Sequence, residues 1–197
     1  MAGKRVGVLA LQGDVREHVQ ALSSLGAEVL EVRSPAHLEA VQGLVIPGGE
    51  SSVIDKLSRL FGLAVPIRSR IAAGMPVYGT CAGLILLANE VLDKSPRQET
   101  FGGLDVSVRR NAFGSQVDSF ETELNVAEFG ERPVRAVFIR APIVESAGDA
   151  VQVLARTEAG QIVAVEQGNL LGTSFHPEVS GEYRFHERFL SKVDAIA

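Results

Sequence analysis

Pro76-Val77-Tyr78-Gly79-Thr80-Cys81-Ala82-Gly83-Leu84-Ile85-Leu86-Leu87-Ala88 joins a short apolar run, the chain's one cysteine framed by glycines, and a longer apolar run. The pattern predicts a strand, a sharp turn and a helix. Gly79 and Gly83 permit the turn, and Cys81 is lifted clear of the sheet at the start of the helix. There the backbone N–H groups and the helix dipole favour the thiolate, the reactive form of a nucleophile. Cysteine is also among the most buried residue types, so a small packing residue is the competing reading. The framing glycines and the helix pattern that follows favour the nucleophile.

A thiolate that cleaves an amide needs a proton donor for the leaving amine, and histidine is the usual one near neutral pH. The chain has four. His18 lies in a helix pattern over 15–22 and reads as a solvated or boundary residue. His37 follows Ser34-Pro35, an N-cap with proline in the first turn, and reads as a surface residue. His186 falls among charges in Tyr183-Arg184-Phe185-His186-Glu187-Arg188, on the face of a terminal helix. His176 differs: it closes the apolar run Leu170-Leu171-Gly172-Thr173-Ser174-Phe175 and precedes Pro177-Glu178. The rigid proline restricts the turn and can bring Glu178 to the second ring nitrogen, where a carboxylate holds the tautomer and stabilises the imidazolium. Taken alone, a turn histidine beside a solvated glutamate is the simpler reading. A third element, Gly43-Leu44-Val45-Ile46-Pro47-Gly48-Gly49-Glu50-Ser51-Ser52, is a buried-strand pattern that breaks into a glycine turn. Such a turn can aim backbone N–H groups at an oxyanion. An ordinary βα loop with Ser51 or Ser52 as N-cap explains it equally well.

Together, Pro47-Gly48-Gly49-Glu50-Ser51, Gly79-Thr80-Cys81-Ala82-Gly83 and Phe175-His176-Pro177-Glu178 resemble the oxyanion strand, nucleophile elbow and His-x-Glu of class I, triad-type glutamine amidotransferases. Residues 9–18 (Leu-Ala-Leu-Gln-Gly-Asp-Val-Arg-Glu-His), Arg109-Arg110-Asn111-Ala112-Phe113-Gly114, Gln116-Val117-Asp118-Ser119-Phe120-Glu121 and Phe138-Ile139-Arg140-Ala141-Pro142 narrow the resemblance. They are similar to motifs in the glutaminase subunits of two-component pyridoxal 5′-phosphate synthases. The match spans essentially the whole chain, with Ser52 standing where threonine is common.

The resemblance implies a Cys81, His176, Glu178 triad that hydrolyses L-glutamine to L-glutamate and ammonia, with backbone donors at Gly49 and Ala82 for the oxyanion. It places Glu50, Ser51, Arg110, Ile139 and Arg140 around the substrate. Without it, Arg110 and Arg140 read as surface charges. It assigns Gln12 a partner-dependent role near the oxyanion hole. It also implies a (β/α)8-barrel synthase subunit as partner in a large hetero-oligomer, with pyridoxal 5′-phosphate as that complex's product and no cofactor for this chain. The alternatives are the glutaminase subunit of another amidotransferase, a cysteine peptidase or other cysteine hydrolase of related fold, and a non-catalytic partner subunit. None of the cysteine, histidine and glutamate is lost, which disfavours the last.

Composition agrees with one domain over 1–197: 197 residues, 46% hydrophobic and 22% charged, suffice for one buried core. A net charge of −5 argues against nucleic acid or an anionic membrane as partner. Lys4-Arg5 leads at once into strand-like alternation, not into a signal peptide, and no apolar run approaches a membrane span. One cysteine excludes an internal disulfide, which fits the cytoplasm. No metal site is expected, because His176 and Cys81 lack further ligands at suitable spacing.

The expected elements are strands at about 4–11, 28–33, 43–47 and 75–79, and helices at about 15–25, 52–61, 65–73 and 82–92. Residues 93–100 read as a loop, three β-rich runs follow between 151 and 175, and a last helix covers about 182–193. This is a three-layer α/β, flavodoxin-like, mostly parallel sheet flanked by helices, with an antiparallel β extension in the C-terminal half. Gly48-Gly49, Cys81 and His176 each follow an expected strand, so they converge at one sheet edge.

Overall fold

The computed structural model describes residues 5–112 and 119–196. Phe113, Gly114, Gln116, Val117 and Asp118 of the quoted motifs lie outside the described residues. The first half alternates as expected: β1 (Arg5–Leu9), α1 (Val15–Ser24), β2 (Glu28–Val32), α2 (Pro35–Glu39), β3 (Gly43–Ile46), α3 (Ser51–Leu60), α4 (Ala64–Ala72), β4 (Val77–Thr80) and α5 (Ala82–Leu87). The second half is β5 (Ala88–Val91), β6 (Leu104–Arg109), β7 (Ser119–Leu124), β8 (Val134–Ile139), β9 (Ile143–Ala147), β10 (Gln152–Arg156), β11 (Ile162–Gln167), β12 (Leu170–Thr173), α6 (Pro177–Ser180) and α7 (Arg184–Ala195).

Among the described residues the main sheet runs β2-β1-β3-β4-β12-β11-β9-β6-β5, with β10 paired to β11. Its first five strands are parallel neighbours, in the flavodoxin-like order. The pairings of β12 with β11, of β11 with β9 and β10, and of β9 with β6 are antiparallel, which forms the expected extension. A separate antiparallel hairpin, β7 and β8, places Phe138 against Phe175 at the end of β12.

Strand alternation divides the apolar residues between the two sheet faces. Val6, Val8 and Tyr78 pack with Leu22 of α1 and Phe185 and Phe189 of α7, while Leu9, Leu44 and Ile46 pack with Ile54 of α3, Ile67 of α4 and Leu84 of α5.

The helix expected over 82–92 is corrected: α5 ends at Leu87, and residues 88–91 pair in parallel with β6. Phe101 and Gly102 donate their N–H groups to Leu86 O at 2.7 and 3.1 Å, and Ala88 turns extended. All six residues of α5 are buried, so the apolar run has no polar face to mark where the helix stops. The expected N-cap of α3 also moves: Glu50, not Ser51 or Ser52, occupies it, and its carboxylate accepts the Ser52 N–H at 3.4 Å.

The framing glycines act through close approach. A Cβ on Gly83 would lie 2.1 Å from Ile46 O, and one on Gly79 would lie 2.5 Å from the Gly83 carbonyl carbon. The start of α5 therefore rests directly on the end of β3, and only backbone fits between them. Gly83→Ala is expected to destabilise the fold by about 3 kcal/mol, the upper range for overpacking where backbone must yield. Urea unfolding should show a lower midpoint at an unchanged slope.

Candidate active site

The order β2-β1-β3 reverses between β1 and β3, and the crevice at such a switch point is where ligands bind in open α/β sheets. The loops leaving these two strands touch: Asp14 N–H donates to Gly48 O at 3.1 Å, and Glu50 N–H donates to Gln12 Oε1 at 2.8 Å. Cys81 and His176 arrive beside them from β4 and β12, the next strands along the sheet. They open on a cavity of about 300 Å³ lined also by Gln12, Gly49, Glu50, Ser51, Arg110, Ile139 and Arg140.

Cys81 sits at φ 48°, ψ −100°, a conformation that costs a non-glycine residue about 1–3 kcal/mol. Its N–H donates to Thr173 O at 2.8 Å, which pins the elbow to the end of β12. Its Sγ lies 3.9 Å from Ile139 O, at the end of β8. The elbow thus presents the sulfur at the start of α5, as the glycine-framed pattern requires.

His176 caps α6, with Pro177 in the first helical position and Glu178 next. This short turn brings Glu178 Oε1 to 2.8 Å from His176 Nδ1. A carboxylate accepts, so Nδ1 carries the proton and Nε2 is left for the Cys81 side chain. Burial opposes a charge on His176, but hydrogen bonds to Asp14, Cys81 and Glu178 outweigh it and push its pKa up to about 12. Burial also pushes the Glu178 carboxyl up, against the pull of His176.

Arg110 is not a surface charge. Its side chain is 14% exposed and donates to Glu50 Oε1 at 3.0 Å, Ser95 Oγ at 2.7 Å and Gln98 Oε1 at 3.2 Å. Gln98 in turn donates to the buried Ser51 Oγ at 2.9 Å, so the polar loop after β5 braces one wall of the cavity. Ile139 and Arg140 also line the cavity and are exposed, Arg140 at φ 41°. Every residue expected at the site lines the cavity except Ala82, buried beneath Cys81 at the start of α5, and Glu178, buried behind His176.

His18, read as a solvated or boundary residue, and His186, read among charges on the face of a terminal helix, are both fully buried. His18 Nδ1 lies 2.9 Å from His186 Nε2, and His18 Nε2 lies 3.0 Å from Thr80 Oγ1 and 3.5 Å from Glu178 Oε1. The carboxylate requires a donor at His18 Nε2, so His18 Nδ1 accepts from His186 Nε2–H. A neutral imidazole pair therefore backs Glu178. The sequence hid it because each histidine lies on a helix with charged neighbours, and the two are 168 residues apart.

Burial, with the charges of His186 and His176 adding to it, drives the His18 pKa well below 6.5, and burial lowers that of His186 to about 3. The unfolded chain protonates both below pH 6.5 while the fold does not, so both remove stability as pH falls. His176 acts in the opposite sense: its contribution is full below 6.5 and is lost as pH rises through about 12. His186→Phe is therefore expected to flatten the fall in unfolding free energy between pH 6 and 4 by about 1.4 kcal/mol per pH unit, one proton's worth. Urea titrations across that range check it, and an unchanged slope refutes the buried neutral state.

Asp14, Ile85 and Asn111 also line the cavity and escaped the sequence reading. Asp14 Oδ2 lies 3.2 Å from His176 Nδ1, so Asp14, His176 and Glu178 bring three ligand-type atoms within 4.8 Å of one another. Sequence spacing did not show this donor set.

A cysteine on a strand-to-helix elbow, with a carboxylate-backed histidine beside it at the edge of a flavodoxin-like sheet, is the arrangement that the resemblance of the sequence motifs to glutamine amidotransferases implies. A solved glutamine amidotransferase is 47% identical and superposes with a TM-score of 0.89 over 96% of this chain and 98% of that one. Another, from Thermotoga maritima, shares the fold at 15% identity and a TM-score of 0.63, over 99% of this chain and 86% of that one. The chain belongs to the SNO glutamine amidotransferase family, whose model matches residues 8–195. Among curated relatives, the "Pyridoxal 5'-phosphate synthase subunit PdxT" of Leifsonia xyli subsp. xyli is 65% identical over 98% of both chains. The protein of the same name from Clavibacter michiganensis subsp. michiganensis is 62% identical over 98% of this chain and 92% of its own length.

Proposed function

We propose that this chain is the glutaminase subunit of a pyridoxal 5′-phosphate synthase, a single amidotransferase domain over 1–197 that hydrolyses L-glutamine and passes ammonia to a synthase subunit. The observation that carries the reading is the meeting of Cys81, His176 and Glu178 at one cavity, in a chain so similar over its whole length to relatives bearing that name.

Cys81 Sγ attacks the side-chain amide carbon as its proton passes to His176 Nε2, giving a tetrahedral oxyanion. Backbone N–H groups at Gly49 and Ala82 stabilise that oxygen. The C–N bond breaks as His176 returns the proton to the leaving ammonia, which leaves a γ-glutamyl thioester. His176 then takes a proton from water, the hydroxide adds to the thioester carbon and expels the thiolate, the proton returns from His176 to Cys81 Sγ, and L-glutamate departs. The contacts that raise the His176 pKa stabilise the imidazolium formed when it takes the Cys81 proton, and that imidazolium then protonates the leaving ammonia. Glu178 fixes its tautomer and offsets its charge. Glu50, Ser51, Arg110, Ile139 and Arg140 bind the zwitterionic substrate, with the Arg110–Glu50 ion pair fixing both charged groups at one end of the cavity.

Ammonia released to water becomes ammonium and is lost as a nucleophile, so the activity is useful only beside an acceptor. The partner is a (β/α)8-barrel synthase subunit in a large hetero-oligomer, in the cytoplasm. Among the described residues no helix is long and apolar enough to cross a membrane. Gln12 supplies the coupling: its Oε1 holds the Glu50 N–H, and a Cβ on Gly49 would lie only 2.4 Å from that oxygen. Docking that moves Gln12 reorients the Gly49 turn and completes the oxyanion hole.

Turnover of glutamine is accordingly expected to be weak for the isolated chain and to rise about tenfold or more with a stoichiometric synthase subunit. Glutamate release at saturating glutamine, with and without that subunit, checks it. Equal rates despite independently demonstrated binding mean a constitutive glutaminase.

A further inference from the structure

Asp14 occupies the N-cap of α1, where an aspartate ordinarily accepts an N–H of the first helical turn. It makes no such side-chain hydrogen bond. Its Oδ2 turns instead to His176 Nδ1, 3.2 Å away, the same nitrogen that Glu178 Oε1 approaches at 2.8 Å. The loops are built to allow this. Gly13 lies at φ 103°, and a Cβ on Gly48 would sit 2.3 Å from His176 Cε1 and 2.9 Å from Asp14 Oδ2. Only a glycine at 48 leaves room for the carboxylate and the ring to meet.

The two carboxylates face His176 from different environments. The Glu178 side chain is fully buried, whereas Asp14 is 39% exposed at the cavity. We propose that Asp14 is a second positioning carboxylate for His176, sharing the Nδ1–H with Glu178 and holding the same tautomer when Glu178 cannot. The proposal rests on His176 being the proton-transfer group of the glutaminase. With both carboxylates within ion-pair distance of the same ring nitrogen, each can partly substitute for the other. Single substitutions therefore understate both residues, and only their combination exposes Asp14.

The test is a double-mutant cycle of Asp14→Asn and Glu178→Gln in the full chain with its synthase subunit present, read as kcat and KM separately. Asparagine caps helices as well as aspartate does, so α1 is not the variable. Asp14→Asn alone is expected to lower kcat about threefold with KM unchanged, and Glu178→Gln about tenfold. The double variant should fall about a further thirtyfold below Glu178→Gln, well beyond the product of the single effects. Multiplicative effects overturn the proposal, and so does an Asp14→Asn effect confined to KM, which makes Asp14 a substrate contact. A second readout needs no turnover: the downfield proton signal of His176 Nδ1–H should survive each single substitution and vanish in the double variant. Loss of that signal in Glu178→Gln alone also overturns the proposal. A wild-type chain with the signal but no glutamine hydrolysis would instead sink the glutaminase reading.

Discussion

Cys81→Ala is expected to reduce glutamine hydrolysis by at least about a thousandfold, because no other group in the cavity can form the thioester. The fold should survive. The side chain lost is small, and alanine loses the Sγ contacts with Ile139 O and His176 while the N–H bond to Thr173 O remains. A change below about 1 kcal/mol moves the melting temperature of a chain this size by no more than about 4 °C. Because Cys81 is the one cysteine in the sequence, a glutamine analogue that alkylates thiols should add a single mass increment to the wild type and none to the variant. Retention of near wild-type turnover by Cys81→Ala removes the nucleophile from the mechanism and with it the role given to His176.

What could be read in the sequence was what is encoded locally. The elbow is specified by five consecutive residues, and His176-Pro177-Glu178 closes its own contact through one proline turn. Strand alternation and short βα links were enough to assign the first four strands to a parallel sheet, but not to show that β12 joins it beside β4. The errors fell where long-range packing overrides local pattern. Residues 88–91 leave the helix because β6 offers a neighbouring strand, and nothing in Ala88-Asn89-Glu90-Val91 announces that. His18 reads as solvated on a helix with Arg16 and Glu17 beside it, but its face of α1 turns toward α7 and meets His186. Asp14 has the sequence signature of an N-cap, and its real partner lies 162 positions away at the end of β12. Local rules fail beneath and around Cys81, as expected where a functional site competes with regular structure.

The second large effect is His176→Asn, expected to lower kcat by about a thousandfold or more, since asparagine can neither take the thiol proton nor deliver one to ammonia. Glu178→Gln should cost only about tenfold: glutamine loses the charge that offsets the imidazolium, but the ring keeps its place, and Asp14 still faces Nδ1 at 3.2 Å. The ranking distinguishes proton transfer from orientation. An imidazole that moves protons is irreplaceable, whereas a carboxylate that steadies it is one of several contacts, here alongside Asp14. Glutamate release at saturating glutamine, with circular dichroism to verify folding, measures both variants. If Glu178→Gln proves the more damaging, the buried carboxylate and not the imidazole governs the rate-limiting step, and the two roles assigned here must be exchanged.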